Sequence, residues 1–266
     1  LVDSRRIGNQ LYLVTRFSPH LQGLEYKPWE EAVVTKNKQL IANADLTDFL
    51  PSIHINGQSD KLVPQSRCLV PSAEDEYNTG YNLFTSITRI NLDDPTDWQS
   101  SCAIATISSL YMNQDALYLT RGYDWHEAKT ELHRFDLNSL DYTDSVSVPG
   151  SLGWRSDKFR IKEQTLNDEK VLTLITSTRE SGRWLHQLFN YQVSPEGKID
   201  WLATLPNETN TAAIGKPGEN IHGARISGNT AYVVTFLTTD PLYKIDLSNP
   251  SNQLVGAFIG CLSIRG

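Results

Sequence analysis

An all-β fold of about four blade-like, four-stranded antiparallel repeats, with one helical insertion, is the architecture this sequence predicts. Three observations predict it. A phrase of the form Leu-x-x-Φ-Asp-Leu, with Φ a large apolar residue, recurs at residues 132–137, 188–193 and 242–247, with a weaker copy at 87–92. Its central residues Ile90, Phe135, Tyr191 and Ile245 stand 45, 56 and 54 positions apart, a self-similar period of the size that repeat architectures show. Each phrase follows a run rich in β-branched and aromatic residues, and turn residues precede each run: Gly8-Asn9, Asn113-Gln114-Asp115, Asn167-Asp168 and Gly228-Asn229. Apolar runs bounded by Gly and Asn are hairpin grammar, and four antiparallel strands in roughly 55 residues make one blade of a β-propeller.

Within each repeat the order is fixed by these signals. A first strand is expected at residues 4–7, 105–110, 157–161 and 223–226, just before the turn. A second follows at 10–15, 116–120, 171–176 and 230–235, and the recurring phrase supplies the third. A fourth is expected at 145–148, 200–205 and 253–258. Pro95 and Pro250 mark turns between third and outermost strands because proline fixes φ and Asp or Asn side chains bond the local backbone. Tyr12 and Tyr118 are 106 residues apart, about one blade more than elsewhere, so an insertion is expected over roughly 27–80. Residues 27–50 read as a helix, with Pro28 in its first turn and Pro51 stopping it. Residues 51–80 read as a long polar loop containing Glu74-Asp75-Glu76. The helix either carries function or caps an open sheet edge.

Composition bounds the function. The chain has 266 residues, 39% of them hydrophobic and 21% charged, enough to bury the core of a single all-β domain spanning 1–266. A net charge of −7 argues against a nucleic-acid partner, which favours clustered Lys and Arg. No apolar stretch is long enough to form a transmembrane segment. The opening Leu1-Val2-Asp3-Ser4 reads as the interior of a longer chain. Cys68, Cys102 and Cys261 lack CxxC spacing, so a zinc ribbon is not expected; they read as small buried hydrophobes, or Cys68 and Cys102 as a disulfide in an oxidising compartment.

Residues 3–15, from Asp3-Ser4-Arg5-Arg6-Ile7 through Val14-Thr15, resemble the entry strands of the bacterial secreted β-propeller domain family, distant relatives of the WD40 propellers. Residues 224–236 running into 240–250 are the most specific match, and the likeness covers most of 1–258. The resemblance implies an extracytoplasmic protein (secreted, periplasmic or at the cell surface) with a propeller of uncharacterised role. It brings no catalytic residues with it. The family's domain extends upstream of the matched phrase, and residues 259–266 depart from its continuation, so both ends look shortened. Four blades then form either a small closed ring or part of a larger one.

No G-x-S-x-G, H-E-x-x-H, P-loop or EF-hand pattern occurs. His126-Glu127 begins like a zincin but lacks the second His, so neither a metal nor a cofactor is expected. Aligning the Gly-Asn turns sets Arg5 opposite Arg225, and Arg155 lies in a comparable place before the third repeat. These guanidiniums either converge on an anion or pair with neighbouring Asp and carbonyl groups. His222 and Trp154 sit at strand entries and suit a ligand pocket, and the aromatic and acidic stretch 123–127, with His126, suits a sugar or peptide. Residues 93–97 and 74–76 either hold calcium or are solvated turns. The expected function is a binding module for a small anionic ligand or a protein partner. The alternatives are a hydrolase or lyase using His222 as acid/base with Arg5, Arg155 and Arg225 stabilising negative charge, and a structural role through open blade edges.

Overall fold

A computed structural model describes residues 1–25, 28–70, 83–105, 107–122, 129–153, 157–216, 218–236, 241–251 and 254–256. The chain divides into two compact units, Leu1–Thr106 with Ser139–Asp141, and Ile107–Asn138 with Tyr142–Gly266.

The first unit holds β1 (Asp3–Ile7), β2 (Gln10–Phe17), α1 (Glu31–Asn43), α2 (Leu46–Phe49), β3 (Ser52–Ile55), β4 (Gln58–Lys61), β5 (Cys68–Leu69), β6 (Phe84–Asn91) and β7 (Trp98–Ala103). One sheet runs β1-β2-β6-β7-β5, so the expected first repeat is present, with the insertion between its second and third strands. The insertion differs from expectation in two ways. The single helix read over 27–50 is broken, because the Asp45 carboxylate accepts the Thr47 amide and the Asp48 carboxylate accepts the Asp45 amide. That reciprocal cap starts a new helix where the apolar pattern looked continuous. The stretch read as loop contains the β3–β4 hairpin, turned by Asn56 and Gly57 at φ 51° and 81°, and strand β5, which pairs in parallel with β7. Residues 71–82, with the 74–76 acidic run, lie outside the described residues. Cys68 and Cys102 stand directly opposite in that parallel pair, with Cα atoms 4.4 Å apart, and form a disulfide. Cys261 lies outside the described residues. Around the disulfide Leu50, Val63 and Phe84 are buried, with Phe17, Phe49 and Leu62 packed on them, so the insertion shares the sheet's core.

The second unit holds three four-stranded meanders in chain order. The second sheet is β8 (Ser109–Met112), β9 (Ala116–Gly122), β10 (Lys129–Asp136) and β11 (Tyr142–Pro149). The third is β12 (Ile161–Leu166), β13 (Glu169–Glu180), β14 (Arg183–Val193) and β15 (Ile199–Leu205). The fourth is β16 (Asn220–Ser227), β17 (Thr230–Phe236), β18 (Leu242–Asp246) and β19 (Leu254–Gly256). Two first strands lie later than expected. Residues 157–159 form a 3-10 turn and β12 begins at Ile161. A two-residue turn at Asn167-Asp168, φ 51° and 64°, requires the strand to run up to Leu166. The second sheet likewise begins at Ser109 and not at 105.

The third sheet is buried on both faces. Leu172 and Leu174 pack with Tyr118, Leu132 and Val148 of the second sheet. Val171 and Ile175 pack with Val233, Ile245 and Leu247 of the fourth. Its second strand therefore reads as an almost continuous apolar run. Each fully buried Leu, Ile or Val there contributes about 1.5–3 kcal/mol.

One polar cluster ties the second sheet to the third. Glu163, 5% exposed, receives Asn113 Nδ2 at 3.1 Å and Arg134 Nε at 3.2 Å on its carboxylate, which also accepts the Tyr118 hydroxyl. Arg134 Nε also reaches the Tyr118 hydroxyl at 3.1 Å, and the Tyr111 hydroxyl accepts the Glu163 amide at 3.1 Å. Burial, and then the Glu163 charge, push the Tyr118 phenol far above its usual range, so it serves as a donor. The charge is compensated on every side, as a buried carboxylate requires.

Candidate binding face on the fourth sheet

Cross-strand register decides which side chains share a face, and it corrects one part of the sequence alignment. The residues one before each Φ are Arg89, Arg134, Asn190 and Lys244. Following the pairing inward from them gives the rows Arg89–Tyr12–Arg5, Arg134–Tyr118–Tyr111, Asn190–Thr173–Lys162 and Lys244–Tyr232–Arg225. Arg5 and Arg225 are thus structural equivalents, as the turn alignment expected. The third repeat's counterpart is Lys162 and not Arg155, because its first strand begins after the 3-10 turn.

The residues named from sequence fare differently. Arg5 is half-buried, and its Nη1 bonds the Asp3 carboxylate at 2.6 Å and the Ser4 carbonyl at 2.8 Å. This is the local pairing alternative. Arg225 and His222 are exposed on β16. Arg5 belongs to the first unit, and Arg225 and His222 to the second. Trp154, Arg155 and His126 lie outside the described residues. Of the residues 93–97, Asp93 accepts Asn9 Nδ2 at 2.5 Å, Asp94 caps Thr96 and Asp97 accepts Asn91 Nδ2. These are closed turns, and no metal-binding group occurs among the described residues.

Arg225 and His222 come together on one face. Along β17 the residues 231, 233 and 235 are buried, while Thr230, Tyr232 and Val234 are half-buried and Phe236 is exposed. Alternation of period two therefore puts Tyr232 and Phe236 on the outer face. Arg225 flanks Tyr232 on one side and the exposed Lys244 on the other, so two cations straddle a phenol across about 10 Å of sheet. Further along the same face, a register shift between Ile221 and Gly223 sets His222 out of the ladder, where its ring meets Phe236 edge-on with centroids 5.1 Å apart. The face offers two cations, an imidazole, a phenol and an apolar ring.

Beneath this end lies a buried network that sequence reading missed. Arg160, 3% exposed, donates to Ser177 Oγ at 3.0 Å and to the Ile221 carbonyl at 3.2 Å. Ser177 Oγ lies 2.8 Å from His186 Nδ1, and His186 Nε2 lies 2.8 Å from the Glu219 carbonyl. A carbonyl can only accept, so Nε2 carries the proton and Nδ1 accepts from the serine. Burial, and secondarily the Arg160 charge, push the imidazole below its usual value, against the Glu219 carbonyl bond. The Glu219 carboxylate accepts Thr235 Oγ1 at 2.5 Å and the Lys216 amide at 2.9 Å. Gly215, at φ +90°, passes so close that a Cβ would meet Thr235 at 3.1 Å and the His186 ring at 3.2 Å. This hydroxyl–imidazole pair is sealed and joins the third and fourth sheets. Its sequence signal was a lone His in the apolar run of residues 184–189.

Repeated four-stranded meanders packed face to face define a protein of the β-propeller class. The family model for the beta propeller domain matches residues 1–266, and the chain belongs to that family. A protein of Methanocaldococcus jannaschii described only as uncharacterized is 49% identical over 49 residues, which are 18% of this chain and 7% of that protein. No helix among the described residues is long and apolar enough to cross a membrane.

Proposed function

We propose that this chain is an extracytoplasmic binding module that takes a small anionic ligand on the outer face of its fourth sheet. The observation that carries the reading is the row of exposed Arg225, half-buried Tyr232 and exposed Lys244, with the His222–Phe236 pair beyond it. Two guanidinium- and ammonium-bearing side chains around a hydroxyl suit a carboxylate or phosphate. The Cys68–Cys102 disulfide supports an oxidising location. The hydrolase or lyase reading has less support. His222 meets the Phe236 ring and no hydroxyl or carboxylate among the described residues, whereas Ser177 and His186 are each 5% exposed.

Isothermal titration with inorganic phosphate and with citrate tests the binding reading. Lys244→Glu or Arg225→Glu is expected to weaken binding at least tenfold with an unchanged circular dichroism spectrum, and raised salt to weaken it further. Absence of binding by either anion, or equal binding by both variants, overturns it.

A further inference from the structure

A strained turn in the first unit is held by two residues that each neighbour a bridged cysteine. Leu140, 0% exposed, stands at φ 55°, a left-handed conformation that a bulky side chain keeps only where its surroundings fix it. It lies within Ser139–Asp141, which belong to the first unit. Ser101 Oγ donates to the Leu140 carbonyl at 2.7 Å. Gln99 Nε2 donates to the Ser139 carbonyl at 3.1 Å, and Arg67 Nη2 donates to the same carbonyl and to the Asp141 carboxylate, the latter at 3.2 Å. Arg67 also donates to Ser101 Oγ, from Nε at 3.2 Å and from Nη2 at 3.1 Å, so guanidinium and hydroxyl form one clamp. The Asp141 side chain is largely exposed, so that ion pair is screened and the carbonyl bonds carry the hold.

Both clamp residues owe their placement to the bridge. Arg67 precedes Cys68 and Ser101 precedes Cys102, and these cysteines stand opposite one another as the disulfide. Gln99 and Ser101 share one face of β7, while Cys102 joins Leu50, Val63 and Phe84 in the core. Little else keeps β5 on β7. Its ladder is Cys68 against Cys102 and Leu69 against Ala103, with the Ile104 amide on the Leu69 carbonyl beyond, and so short a parallel pairing is weak by itself. Buried Val63 anchors the chain upstream and Val70 is 63% exposed, so the bridge is the covalent tie at the clamp. Access to it is one-sided, since Cys102 is sealed and Cys68 is half-buried.

We propose that the Cys68–Cys102 disulfide is a redox latch for this clamp, opened by a dithiol reductant. A thiolate of the reductant attacks the Cys68 sulfur and expels the Cys102 thiolate, which takes up a proton. The second reductant thiol then attacks its own partner sulfur in the mixed disulfide and expels Cys68. The reductant leaves as a disulfide, and the protein gains two electrons and two protons as a pair of thiols. β5 then parts from β7, Arg67 leaves Ser101, and the turn at Leu140 relaxes. The latch lies in the first unit and is independent of the anion face on the fourth sheet. The test is hydrogen exchange read by mass spectrometry on a Cys261→Ser protein, with and without dithiothreitol, the thiols being counted by alkylation. Reduction is expected to speed exchange at least tenfold over residues 66–70 and 139–141 and to open tryptic cleavage after Arg67, with β13 and β14 unchanged. Arg67→Met, its bridge intact, is expected to speed exchange over 139–141, and dithiothreitol to add little there. Cys68→Ala with Cys102→Ala is expected to behave as the reduced protein, and the reduced wild-type pair carries the test by itself if that variant does not fold. A bridge that resists dithiothreitol in the folded protein overturns the proposal. So do unchanged exchange with both thiols alkylated, equal acceleration across the whole first unit, or exchange over 139–141 in Arg67→Met at the rate of the parent.

Discussion

Replacing Glu163 by leucine removes the one carboxylate that compensates Arg134 in the buried junction between the second and third sheets. Arg134 is 4% exposed and Tyr118 0%, so neither can turn to water. The variant leaves the guanidinium without its counter-charge, and Asn113 and the Tyr118 hydroxyl without an acceptor. Breaking a buried pair from one side costs about 3–5 kcal/mol, whereas replacing both partners by apolar residues is close to neutral. At about 2–4 °C per kcal/mol for units of this size, the single variant should melt roughly 6–20 °C lower. Glu163→Leu with Arg134→Met should recover most of that loss. Urea unfolding of wild type, both single variants and the double variant gives the coupling directly, provided the slopes agree. A Glu163→Leu variant within about 1 kcal/mol of wild type would refute the reasoning. A double variant as unstable as the single would refute it equally.

Two further outcomes are expected. His186 is held neutral, its folded value below the usual 6.5, so the unfolded chain binds more protons at mildly acid pH. Its contribution is complete above about pH 6.5 and is lost as pH falls below that toward the folded value, at up to about 1.4 kcal/mol per unit. The charged groups facing it are Arg160, which opposes protonation, and Glu219, whose carboxylate is engaged by Thr235 and Lys216. His186→Gln should flatten the stability profile between pH 5 and 6.5, and identical slopes in the two proteins would sink the idea. In the first unit, the Cys68–Cys102 bridge closes a separation of 34 residues, worth about 3–4 kcal/mol in loop entropy. Replacing both cysteines by alanine should lower that unit's unfolding midpoint, seen by differential scanning calorimetry, and an unchanged midpoint would count against a stabilising role.

The strand pattern was legible where turn chemistry and burial agreed. The repeating phrase marks third strands correctly because its Φ residues are interior, Phe135 1% and Ile245 0% exposed. Reading failed where polar residues are buried. Strand β7, with Ser100, Ser101 and Cys102 each under 5% exposed, carries hydroxyls whose partners, such as Thr88 for Ser100, no local pattern announces. The Asn56-Gly57 hairpin was announced, and was outweighed by the polar stretch around it. The candidate face was half legible. Arg225 and His222 stand out by position, but Tyr232 and Lys244 join them only through register. A two-residue turn at Gly228-Asn229 mirrors Arg225 onto Tyr232, and the turn at Ser181-Gly182 mirrors Ser177 onto His186.

The equivalent rows show how one repeated position takes on separate roles. In the second sheet, Tyr111, Tyr118 and Arg134 are drawn inward by Glu163 and become part of a junction. In the third, Thr173 and Asn190 bond each other, and Asn190 reaches the Pro250 carbonyl at 3.0 Å. In the fourth, Arg225 and Lys244 stay at the surface around Tyr232. The residue facing Tyr118 on the next first strand is the carboxylate of Glu163, and at the corresponding place in the fourth sheet stands Ile226. A carboxylate supplied by a ligand would meet Arg225 and Lys244 with the same charge chemistry that Glu163 brings to Arg134, so the buried junction is the internal precedent for anion recognition on the exposed row.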